Sequence, residues 1–234
     1  MKFLFSTLSL ALITLVSYAQ PRFVRLETTK GNITLMLYDQ TPKHRDAFLK
    51  TIKQGLYNQA AFNRVIKGFV SQGGELDDTI LDREKLHPEK PLARIPAEIV
   101  PGLFHKKGAL GAGRNDNPEH SSYLTQLYLV AGKPQTDEEL NAMEKKKGHQ
   151  FSAAERAAYK KIGGIPRLDL DYTIFGEIVQ GMEVADAINS SPTDKNDVPL
   201  TPITFTPKLL SKKEGAILFK IFDSPAHYKP ALAN

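Results

Sequence analysis

The chain has 234 residues, a formal net charge of +5 and no cysteine. That length suffices for one domain with a sizeable core, or two small ones, and the mixed charge excludes a low-complexity disordered chain. The missing cysteines exclude disulfides, thiolate metal sites and cysteine nucleophiles, and basic residues scattered along the chain support a nucleic-acid partner only weakly.

At the N-terminus Lys2 precedes an apolar run from Phe3 to Val16, then Ser17, Tyr18 and Ala19. This is the pattern of a signal peptide spanning residues 1–19, with removal after Ala19 and export to a periplasmic or extracellular site. The run is short for a membrane span, and no second run is long enough, so the mature chain is expected to carry no transmembrane segment. Phe23 to Tyr38 then alternates with period 2 on either side of Thr29-Lys30-Gly31-Asn32, which predicts a hairpin. Asn32-Ile33-Thr34 and Asn189-Ser190-Ser191 are glycosylation sequons by pattern only.

Thr41 and Pro42 predict a helix start, and Gly55 its end after Gln54, with Ala47, Phe48 and Ile52 as the apolar face. In Phe62-Asn63-Arg64-Val65-Ile66-Lys67-Gly68-Phe69-Val70-Ser71-Gln72-Gly73-Gly74 the apolar spacing fits a bent strand pair or a helical turn equally. Residue types alone favour a structural Arg64 lying over apolar surface. Glu75 to Pro96 is charged, interrupted by Pro88, Pro91 and Pro96, and reads as a long surface loop. Thr125-Gln126-Leu127-Tyr128-Leu129 reads as a strand with Gln126 toward solvent.

Thr136 with Glu139 and Ser152 with Glu155 are capping boxes, predicting helices at about 137–147 and 153–162 that end at Gly148 and Gly163. Leu140, Met143, Phe151, Ala154, Ala157 and Ala158 would form the inner face of this helical hairpin. A helix over Glu183–Asn189 should turn Val184, Ala187 and Ile188 inward, and Val198-Pro199-Leu200 with Ile203-Thr204-Phe205 reads as a closing strand.

The Phe62–Gly74 stretch resembles the signature of the cyclophilin-type peptidyl-prolyl cis-trans isomerases, with Asn63 for His and Val70 for Met. Three further blocks resemble the family in the expected order. They are the opening hairpin, the Glu98 to Gly113 segment with its spaced His105, and Leu168 to Val184, and between the last two Thr125 to Leu129 resembles the family's Ser-Gln-Phe-Phe-Ile strand. Gly111, Ala112 and Gly113 stand where Ser, Met and Ala are usual; Arg167 replaces a ring and Leu170 a turn glycine.

The resemblance implies a mainly β fold: a closed eight-stranded antiparallel barrel capped by two helices, with the 133–164 hairpin inserted. It assigns residues 20–210 to that domain and leaves 211–234 unassigned. It implies catalysis by Arg64 on proline-containing polypeptides. Phe69, Val70, Tyr128 and Leu168 would form the proline pocket, and Tyr172 its rim. Gln72 and Gln126 would bind peptide backbone and orient Arg64, and Gly113 and Arg114 would line the strand that receives the substrate. No metal, cofactor or nucleic acid is implied, and a monomer is expected. A peptide-binding module with little turnover is the alternative. A hydrolase built on Asp169, Asp171 and Glu177 is poorly supported, since these lie in a turn and a strand.

Overall fold

The computed structural model describes residues 22–90 and 93–222, so the expected signal peptide and the last twelve residues lie outside the described part. The opening alternation becomes β1 (Arg22–Thr28) and β2 (Gly31–Leu37), antiparallel, with Val24 opposite Leu35 and Leu26 opposite Ile33. Those four side chains share one face and are fully buried. The other strands are β3 (Ala60–Val65), β4 (Val70–Gly74), β5 (Arg94–Ile95), β6 (Ala109–Ala112), β7 (Ser122–Tyr123), β8 (Gln126–Val130), β9 (Ile174–Gln180) and β10 (Thr204–Leu209). Eight strands close into an antiparallel barrel in the order β1-β10-β3-β4-β8-β6-β9-β2, while β5 pairs with β7.

The barrel interior is filled by side chains, among them Leu26, Leu35, Phe62, Leu110, Leu127, Leu129 and Phe205. Period 2 turns the intervening residues outward. Along β8, Tyr128 and Val130 thus join Val70 and Leu168 in a second apolar cluster on the outer wall. Two helices cap the barrel: α1 (Pro42–Lys53) contributes Phe48 to the interior cluster, and α5 (Met182–Asn189) contributes Ala185 and Ile188.

Several local expectations change. Thr41 makes no side-chain bond to the α1 terminus. The cap comes instead from Glu98, whose carboxylate accepts the backbone N–H groups of Lys43 at 3.0 Å and His44 at 2.9 Å. A full negative charge at the positive end of a helix satisfies two orphan donors at once. The buried face of α1 is His44, Phe48 and Thr51, with Ala47 only half-buried. The expected loop after Glu75 contains α2 (Asp77–Leu86), which ends before Pro88. Its signal is faint because only Ile80 is buried, but Asp77 and Asp78 in the first turn and Arg83 and Lys85 in the last complement the helix dipole.

Val198 and Leu200 do not belong to the closing strand; both are exposed. Asp194 Oδ1 accepts the N–H groups of Asn196 and Val198 and folds this stretch into a turn. The closing strand is β10 alone. Beyond it α6 (Lys212–Phe222) places Leu218 in the outer cluster with Phe23, which gives part of the unassigned tail a role in covering the barrel wall.

Both capping boxes form, opening α3 (Asp137–Lys147) and α4 (Ala153–Lys161). Leu140, Phe151 and Tyr159 are the buried residues of this hairpin, whereas Ala154 and Ala157 face solvent. The Tyr159 ring meets Phe104 and Phe151 edge-on at 5.2 and 5.6 Å, filling space that alanines would leave empty. In α5 the buried set is Ala185, Ile188 and Asn189, and Ala187 is exposed. Asn189 Nδ2 donates to Ile66 O and Ser71 Oγ, each at 3.1 Å, so its sequon is closed off by burial. Among the described residues no helix is long and apolar enough to cross a membrane.

Candidate active site

The helix-or-strand ambiguity of Phe62–Gly74 has a structural cause. Phe62 pairs with Gly73 and Arg64 with Gln72, so Asn63 is one residue too many on β3. This bulge lets Phe62 and Val65 both enter the core three positions apart, a spacing that imitates a helix. It also turns Arg64 outward, 44% exposed along its side chain. Asn63 Nδ2 donates to Gly74 O at 2.7 Å, pinning the bulge to the facing strand.

Arg64 opens onto a cavity of about 370 Å³ on the outer wall. The other nine residues singled out from the sequence also line it: Phe69, Val70, Gln72, Gly113, Arg114, Gln126, Tyr128, Leu168 and Tyr172. They come from β4 and the turn before it, β8, the end of β6 and the turn before β9, four stretches that barrel closure brings side by side. Val70, Tyr128 and Leu168 are buried, and Phe69 packs beside them, giving the cavity an apolar floor.

The polar groups are distributed differently from expectation. Arg64 Nη1 donates to Gln72 Oε1 at 3.4 Å, and Arg64 Nε stands 3.9 Å from Asp197 Oδ2. Gln126 does not orient Arg64. It is buried rather than solvent-facing, and its Nε2 donates to Glu75 O at 3.0 Å and Asp77 Oδ1 at 2.6 Å. Gly113 has no free backbone group to offer: its N–H donates to Gln126 O and its carbonyl accepts from Tyr123 N–H. Arg114 lies over the Tyr172 ring at 4.4 Å and donates from Nε to Asp171 O at 3.0 Å.

Two lining residues were absent from the sequence-derived site. Asp77 opens the helix that the sequence hid, and Arg167 places its guanidinium 4.2 Å from the centre of the Phe69 ring. Arg167 did carry a signal, as a charged residue where the family has a ring. The hydrolase candidates are dispersed. Asp169 is buried against His105, Asp171 pairs with Lys147 at 2.7 Å and Glu177 with Lys106 at 2.6 Å.

The unusual glycines are explained by what lies over them. A Cβ on Gly111 would overlap the Tyr128 ring and hydroxyl, and a Cβ on Gly113 would overlap the Gln126 side chain. The Tyr128 ring as it lies here therefore requires glycine at position 111 on the neighbouring strand. The same hydroxyl lies 2.8 Å from His105 Nε2, and the two rings are nearly parallel, 9° apart. Burial pushes the Tyr128 hydroxyl well above the ordinary tyrosine range, so it keeps its proton.

Comparison with known proteins identifies the family of this barrel. The family model described as cyclophilin type peptidyl-prolyl cis-trans isomerase/CLD matches residues 23–207. Peptidyl-prolyl cis-trans isomerase-like 1 of Neurospora crassa is 30% identical over 192 residues, covering 82% of this chain and 95% of its own. A putative peptidyl-prolyl cis-trans isomerase of Staphylococcus saprophyticus is 29% identical over 180 residues, covering 76% and 86%. A Cryptosporidium parvum cyclophilin-type isomerase, solved in the presence of the dipeptide Ala-Pro, shares the fold. Its TM-score is 0.57 at 22% identity, over 81% of this chain and 99% of that one. With its barrel, its four ordered motif blocks and a family match that spans them, the chain belongs to the cyclophilin-type peptidyl-prolyl cis-trans isomerases.

Proposed function

We propose that this isomerase turns X–Pro bonds in exported polypeptides, with Arg64 as its catalytic residue and the Phe69, Val70, Tyr128 and Leu168 wall as its proline pocket. Rotation about X–Pro is slow because the amide C–N bond has partial double-bond character, with a barrier of roughly 18–20 kcal/mol. No bond breaks. In the twisted state conjugation is lost and the proline nitrogen becomes pyramidal and basic. A guanidinium stays charged at every working pH and donates in a fixed fork. It can hold the prolyl carbonyl and approach the nitrogen lone pair, an interaction that strengthens as the transition state is reached.

The observation that carries this reading is a loosely held guanidinium at the mouth of a cavity whose floor is apolar. Among the described residues Arg64 has a long bond to Gln72 and a distant carboxylate at 3.9 Å, so donors remain for an incoming carbonyl. Export is supported by the sequence alone, through Lys2, the Phe3–Val16 run and the Ser17-Tyr18-Ala19 ending.

The test is a proline-isomerisation assay on the chain from Gln20 onward, with Arg64→Ala beside it. The variant should lose about 10²–10³ in kcat/KM, the typical cost of one preorganised donor, while peptide affinity changes little. Wild type that binds proline peptides without turnover would place the protein among peptide-binding modules. Arg64→Ala turning over like wild type would remove the arginine from the mechanism. Secreted protein whose N-terminal mass still includes Met1–Ala19 would overturn the export reading.

A further inference from the structure

We propose that Tyr159, on the α3–α4 hairpin, is a positioning residue for the proline pocket, acting through Asp169 and His105 to hold Tyr128. The proposal rests on the reading of that wall as the proline pocket.

The centre of the arrangement is Asp169, buried beneath the turn that precedes β9. Its Oδ1 accepts the backbone N–H of His105 at 2.8 Å and lies 2.7 Å from His105 Nδ1. Its Oδ2 accepts the Tyr159 hydroxyl at 2.5 Å. A carboxylate only accepts, so Nδ1 carries a proton, and with Nδ1 as the one protonated ring nitrogen of the relay Nε2 is left as an acceptor. Tyr128 must then donate its hydroxyl to Nε2. Burial raises the Tyr159 hydroxyl far beyond the ordinary tyrosine range, so this donor too is always protonated. Every bond in the series therefore has one direction: Tyr159 to Asp169, His105 to Asp169, and Tyr128 to His105.

The consequence falls on the cavity because Tyr128 is part of its floor. Without the Tyr159 hydroxyl, Asp169 Oδ2 is an unpaired acceptor in a buried site, which favours rotation of the carboxylate. Rotation releases the His105 ring and, with it, the acceptor that pins Tyr128. A second tie runs from the same hairpin. Lys147 Nζ donates to Asp171 Oδ2 at 2.7 Å and to the Asp169 carbonyl. Between these anchors Leu170 is held at φ +67°, a left-handed conformation unfavourable for a branched side chain. The turn so held carries Leu168 and Tyr172, both lining the cavity.

The experiment is a double-mutant cycle read in kinetics. Tyr159→Phe deletes one oxygen and keeps the ring packing. It should raise KM for a proline peptide about threefold to tenfold with kcat near wild type, as expected when binding is lost equally from ground and transition states. In a Tyr128→Phe background the same substitution should change KM by less than about twofold, since the bond it supports is already gone. The full effect persisting in that background, or no effect on KM in the wild-type background, overturns the proposal. Long-range proton–nitrogen NMR of His105 in the intact protein gives a check that needs no variant. A proton on Nδ1 alone is expected, and a proton on Nε2 overturns the relay. If wild type shows no turnover, the cycle is read from the dissociation constant of the same peptide, which separates failure of the enzyme reading from failure of the relay.

Discussion

Arg64 owes its outward direction to Asn63, the extra residue of the β3 bulge, and not to any property of its own. The same wall has an uneven charge. Arg64, Arg114 and Arg167 line the cavity against one carboxylate, Asp77, which already accepts from Gln126. Among the described residues Arg167 forms no ion pair; its guanidinium rests on the Phe69 ring. Peptides with Glu beside the proline should therefore be turned over faster than their Lys counterparts. A factor of about two to five is expected at low salt, the worth of one exposed ion pair. Added salt should shrink this preference, and Arg167→Ala should reduce it further. Equal rates for the two peptides would remove charge from the specificity of this site.

At the scale of the element, α1 depends on a residue outside itself. Glu98 supplies both backbone caps and accepts from His44 Nδ1 at 2.7 Å, while His44 Nε2 lies 3.1 Å from Ser122 Oγ. Glu98→Ala should destabilise the fold by about 2–3 kcal/mol, measured by denaturant unfolding, since it uncaps α1 and leaves the buried His44 without its carboxylate. His44 also makes stability depend on pH. Burial lowers its pKa from 6.5, outweighing the opposing pull of Glu98. The unfolded chain therefore binds a proton that the folded chain refuses, and stability falls as pH drops below 6.5 toward the folded-state value. Thermal melts between about pH 7 and 5 should show a steeper loss for wild type than for His44→Gln. Parallel losses would mean that His44 titrates alike in both states.

For the whole molecule, the question is what the α3–α4 hairpin does for a barrel that closes without it. All eight barrel strands lie outside residues 135–163, and Lys133 bridges to Gly164, so the two ends of the hairpin meet. Joining them should leave cooperative unfolding intact. It should also lower isomerase efficiency, because Tyr159 and Lys147 leave with the deleted segment and Asp169 loses a buried partner. Loss of cooperativity in the deletion variant would show that the cluster of Leu140, Phe151 and Tyr159 is continuous with the main core.

The features legible in the chain are those whose partners sit a few residues away. The period-2 alternation of β1 and β2 needs only neighbours, and each capping box closes between residues three positions apart. The ordered motif blocks located the wall of the cavity for the same reason, since each is a continuous stretch. Tertiary structure alone decided the contacts made across sequence distance. The cap of α1 comes from 54 positions downstream, and His105 meets Asp169 across 64. α2 was invisible because one buried residue, Ile80, makes no period, and its ends are stabilised by charges that a loop could equally carry. Gly111 was an unexplained departure until barrel closure laid the Tyr128 ring over it. Local propensity is written residue by residue, but a hydrogen bond between distant strands exists only once the barrel has closed.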